Sequence, residues 1–214
     1  MATSVELARA MAPALGLTEK AVLLHLKHAR ASKAVTFAGH GRSAATMSAI
    51  DAARLLIAVA GSPHAADAAA SVDRFAGLRR LGGRDPSATL DRALEYVINS
   101  LRARSMARNI SPETEFAGRP DVLVEAALKL IWVEGDAAGE FPRVAVLRYP
   151  RPSGRGSADE TFASQALPRR YYDEARLLSE FAGARMTTTR TVSLNALIDI
   201  ARFLAGSTDG PRPP

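Results

Sequence analysis

The chain has 214 residues, a formal net charge of +6, 47% hydrophobic residues and no cysteine. This length and composition suit a globular protein with a sizeable core, as one large domain or two small ones. The lack of cysteine excludes disulfides, thiolate nucleophiles and zinc–cysteine sites. The longest apolar run, residues 55–61, is far short of the roughly 20 residues of a membrane-spanning helix. No charged, apolar and cleavage regions follow one another at the start, so a cytoplasmic protein with no membrane partner is expected. The positive charge, with a pI near 10.1, suits a polyanion. Lysine occurs only at Lys20, Lys27, Lys33 and Lys129, and three of the four cluster with His25 and His28 between positions 20 and 33.

In chain order, Thr3 and Glu6 form a capping-box pair that opens a first helix, with Leu7, Ala10 and Met11 at helical spacing. Pro13 disturbs this helix and Gly16 ends it. Thr18 caps a second helix over 18–32, with Glu19 at its positive end. Val22, Leu23, Leu26 and Ala29 form its buried stripe, opposite Lys20, Leu24, Lys27, His28 and Ala31. Val35-Thr36-Phe37 is β-prone, Gly39 and Gly41 supply a turn, and residues 43–47 return. Ser48 and Asp51 start an apolar helix that runs to about Ala60. Ser62 and Pro63 read as cap and first residue of a helix reaching Leu81, with Val72, Phe75 and Leu78 buried.

After the linker at 82–86 a helix is expected over 87–105. The second half of 122–133, which contains Trp132, reads as strand, and residues 143–149 as its hairpin partner across a turn at 135–141. Residues 150–157 form a basic loop, and 169–181 a helix with Leu177, Leu178 and Phe181 buried. Residues 186–192 suit a strand and 194–204 a closing amphipathic helix. The fold expected is therefore α+β, in four parts. These are an N-terminal block of helices with a glycine-rich turn (1–61), a helical linker or dimerisation segment (62–110), a small antiparallel sheet with helices (111–206) and a disordered tail (207–214).

The first part carries the functional signal. Ala12, Gly16 and Val22 match what a helix-turn-helix asks for: a small residue in the first helix, glycine in the turn, an apolar residue in the second helix. The tip Gly39-His40-Gly41-Arg42 then reads as a basic wing that reaches a minor groove or a phosphate. The block over residues 4–60 resembles the winged helix-turn-helix superfamily. Its segment GHGRSAATMSAIDAARLLIA, residues 39–58, is similar to one in proteins of alphaproteobacterial genomes and their prophage-like elements. The resemblance implies DNA binding, in the regulation of a mobile element. The DNA-contacting residues expected are Thr18, Lys20, Lys27, His28, Arg30, Lys33, His40 and Arg42.

Other groupings are weaker. Ser62, His64 and Asp67 are catalytic residue types, but their closeness in sequence favours a helix cap over a triad. His25, His28 and His40 lack a carboxylate or cysteine at metal-ligand spacing, so a DNA-facing or solvent-facing role is favoured. Gly82-Gly83-Arg84 and Gly154-Arg155-Gly156 lack the context of phosphate-cradling loops. Arg148, Arg151 and Arg155 offer a further electrostatic contact, and Tyr171 and Tyr172 a stacking surface or packing within the fold. The expectation is a homodimeric, sequence-specific transcriptional regulator of double-stranded DNA, with no catalytic set, cofactor or metal. A second protein partner is admitted for the C-terminal part. The rival readings are a phage DNA-packaging oligomer and a protein-interaction adaptor.

Overall fold

The computed structural model describes residues 2–36, 46–82, 87–108, 126–133, 143–150, 157–164 and 187–206. Within them the fold is α+β, with six α-helices and one five-stranded antiparallel sheet. Helix α1 (Ser4–Ala14) opens on a full capping box, in which the Glu6 N–H donates to Thr3 and the Thr3 N–H donates to Glu6 Oε2 at 2.7 Å. The helix accommodates Pro13 in its last turn and ends at Ala14. Gly16 adopts φ +65°, a region glycine enters without the steric penalty of a Cβ. Thr18 caps α2 (Glu19–Ala31), and a second capping box of Ser48 and Asp51 starts α3 (Ala49–Ala60).

Beyond α3 the structure departs from the expected helix over 62–81. A 3-10 turn, Ala65–Asp67, leads into α4 (Ala68–Phe75), and Ser62 and Pro63 precede both. Ser62 is instead a turn residue, its hydroxyl accepting the His64 N–H and donating to the His64 carbonyl oxygen at 2.9 Å. The helix stops early because Arg79–Arg80 leave to form strand β1. The Leu81 N–H donates to the Thr161 carbonyl and the Leu90 N–H to the Leu78 carbonyl. Val72, Phe75 and Leu78 are buried as expected. Helix α5 follows at Leu90–Arg108.

The sheet comprises β1, β2 (Ala126–Val133), β3 (Val144–Pro150), β4 (Ser157–Ala163) and β5 (Thr187–Ser193), in the order β1-β4-β3-β2-β5. Strand β5 runs directly into α6 (Leu194–Leu204), capped by Ser193. The expected hairpin of β2 and β3, the strand β5 and the closing helix α6 are all present. Strand β4 was not expected. Its Asp159 and Glu160 are poor strand formers, yet they are held by cross-strand partners. Asp159 lies opposite Arg148 and receives a bidentate pair from it at 2.7 and 3.2 Å. Glu160 accepts the Tyr149 hydroxyl at 2.7 Å and pairs with Arg80.

The register places Leu128, Leu130, Trp132, Ala145, Leu147 and Phe162 on one face of the sheet. This face meets the helices: Phe75 packs edge-on against Trp132 at 5.4 Å, and Tyr96 against Tyr149 at 6.4 Å. Ile131, Val144, Val146 and Ala163 are buried on the other face. One connected core joins Leu7 on α1 to Leu204 on α6, and α1 packs directly on both α2 and α6. Each fully buried leucine or phenylalanine contributes about 1.5–3 kcal/mol to this core. Between α3 and α5, Arg54 donates twice to Asp91 Oδ2, at 3.0 and 3.1 Å, so the buried carboxylate is compensated.

Candidate nucleic-acid interface

Helices α1 and α2 are joined by the short turn 15–18, tied by the Leu17 N–H donating to the Ala12 carbonyl at 2.9 Å. Arg9 and Glu19 form an ion pair across this corner at 2.7 Å. Helix α2 packs against α1, α3 and α4. Its buried stripe is Val22, His25, Leu26 and Ala29. The opposite stripe of Lys20, Leu24, Lys27 and Ala31 is exposed, as the 3.6-residue period requires. Leu24 is 41% exposed and Leu17, at the turn, 42%.

The residues proposed for DNA contact fall into four groups. Lys20 and Lys27 share the exposed stripe, with His28 half-buried beside Leu24. Thr18 and Lys33 stand at the two ends of α2. The Thr18 hydroxyl oxygen accepts the Ala21 N–H at 3.3 Å, and Lys33 lies past the C-cap at φ +62°. Arg30 sits four residues beyond Leu26, hence on the flank of the buried stripe, and burial lowers its pKa from the ordinary guanidinium value. His40 and Arg42 lie outside the described residues, as does most of the expected wing; Val35–Thr36 and Thr46–Met47 at its ends are not in strands.

The residues on either side of positions 37–45, Thr36 and Ser48, meet at Asp51. Asp51, only 4% exposed, accepts the Thr36 N–H on Oδ1 at 2.9 Å. Its Oδ2 accepts the Ser48 N–H at 3.0 Å and the Ser48 hydroxyl at 2.6 Å. One carboxylate thus joins the chain on both sides of residues 37–45. Burial pushes the Asp51 carboxyl up, but the hydrogen bonds from Ser48 and Thr36 outweigh it and hold the net value below the ordinary one. The sequence flagged Asp51 as a helix-capping acid; its second bond, to Thr36, had no local signal.

His25 does not face solvent or DNA. It is 5% exposed, with Nδ1 2.9 Å from the Ala21 carbonyl oxygen and Nε2 3.4 Å from that of Ser62. Both ring nitrogens are directed at carbonyls, so His25 packs α2 against the turn after α3 and is turned away from any metal shared with His28. Among the described residues no three histidine or carboxylate side chains converge as a metal site. Arg148 is engaged by Asp159, whereas Arg151, Arg155, Tyr171 and Tyr172 lie outside the described residues. No helix among the described residues is long and apolar enough to cross a membrane. No protein-family model, curated protein or solved structure matches the chain.

Proposed function

We propose that this protein binds double-stranded DNA as a sequence-specific transcriptional regulator of a prophage-like or mobile element, acting as a homodimer. The observation that carries the reading is the exposed stripe Lys20-Leu24-Lys27 on a helix that follows a short glycine turn and is packed on its other sides. A helix presented in this way suits a major groove, and lysines on its flanks suit the phosphates beside it. Lys33, past the helix C-terminus, and Thr18, at its N-terminus, extend the contact along the backbone. Arg42, in the glycine-rich stretch whose ends Asp51 ties together, supplies a contact in the adjacent groove.

The test is duplex binding measured across a salt series. The double variant Lys27→Ala/Arg42→Ala is expected to bind more weakly and to flatten the salt dependence by about 0.9 slope units for each phosphate contact removed. Unchanged affinity and slope overturn the proposal.

A further inference from the structure

Leu24 stands out on the exposed face of α2. Among the described residues the large apolar side chains left exposed are Leu17, Leu24, Tyr96 and Met106. Leu24 alone of these lies between two exposed lysines of one helical stripe, four residues after Lys20 and three before Lys27. Helix packing gives it no role, since α2 turns Val22, His25, Leu26 and Ala29 inward. The two lysines are long and flexible and reach outward to backbone charge, while leucine is short and apolar and fits the floor between them. In a B-form major groove the apolar feature on that floor is the C5-methyl group of thymine.

We infer that Leu24 is a specificity-determining residue that packs on thymine methyl groups while Lys20 and Lys27 hold the flanking phosphates. This rests on the DNA-binding reading above and adds to it a preference for thymine-bearing sites. The preference is chemical: it depends on the methyl group itself, with the phosphate charge constant.

The experiment compares two duplexes of equal length, alternating dA–dT and alternating dA–dU, which differ only in the thymine methyl. The intact chain is expected to bind the thymine duplex about fourfold more tightly, the factor that burial of one methyl supplies. Leu24→Ala is expected to lose that factor and bind both duplexes alike, whereas Leu24→Met, which keeps an apolar side chain, retains a preference. Melting followed by circular dichroism verifies that each variant is folded. Equal binding of both duplexes by the intact chain overturns the inference and leaves the DNA-binding reading standing. A thymine preference that survives in Leu24→Ala overturns the assignment to Leu24. Absence of salt-dependent binding to either duplex overturns both readings.

Discussion

The Thr36 N–H donates to Asp51 Oδ1 at 2.9 Å, across fifteen positions of sequence. The other carboxylate oxygen caps α3 through Ser48. A residue that looks like an ordinary helix-start acid is therefore also the clasp at the base of residues 37–45.

Asp51→Asn is expected to lower stability at neutral pH by about 1.5–3 kcal/mol, the range for hydrogen bonds to a charged group. The pH dependence follows from the direction of the shift. The folded-state value lies below the ordinary 3.8, so the carboxylate's contribution is fully present above about pH 4. It fades as the pH falls through the folded-state value. Urea unfolding at pH 7 and at successively lower pH below 4 is expected to show a large difference between native and variant at the first that shrinks steadily with acidification. A constant difference counts against ionised Asp51 as the clasp. Because Asp51→Asn removes a negative charge, charge alone predicts tighter DNA binding; weaker binding indicates that the clasp positions Arg42.

Gly61→Ala is expected to destabilise the fold by about 1–3 kcal/mol. A Cβ there would sit 2.8 Å from the Ile57 carbonyl oxygen, 3.0 Å from Ser71 Cβ and 3.2 Å from the Phe75 ring. The end of α3 approaches α4 at this point, and backbone and core atoms leave the methyl no room. Thermal melting checks this, with Gly77→Ala as the comparison, since a Cβ at Gly77 meets nothing within 4 Å.

Lys33→Gly is expected to separate stability from binding. At φ +62° a lysine costs about 1 kcal/mol relative to glycine. The variant should therefore melt higher. If Lys33 contacts a phosphate, it should also bind duplex DNA more weakly and with a shallower salt slope. A variant that is more stable and binds as before removes Lys33 from the interface.

Light scattering is expected to return twice the 22.7 kDa chain mass, the dimer that suits a two-fold DNA site. A large closed oligomer would instead favour a DNA-packaging ring.

The features legible in the sequence were those whose partners lie within one helical turn or one strand repeat. Thr3 with Glu6, Thr18 with Ala21 and Ser48 with Asp51 are three positions apart, so composition and spacing alone determined three helix starts. The exposed pair Lys20 and Lys27 and the helix α6 followed from helical period in the same way, and the strand β5 from its run of threonines. Tertiary structure decided what depends on distant partners. His25 is buried because Ser62, 37 positions away, presents a carbonyl to it. Arg30 is half-buried on the flank of the buried stripe of α2, which desolvates its guanidinium. Helix α4 is short because Arg79 and Arg80 pair with β4, and β4 exists because Arg148, Tyr149 and Arg80 satisfy its two carboxylates. The return of α6 onto α1, which joins the first and last described helices in one core, was likewise set by packing. Local hydrogen bonds and hydrophobic period are written into neighbouring residues, whereas burial and cross-strand compensation arise only when the chain closes on itself.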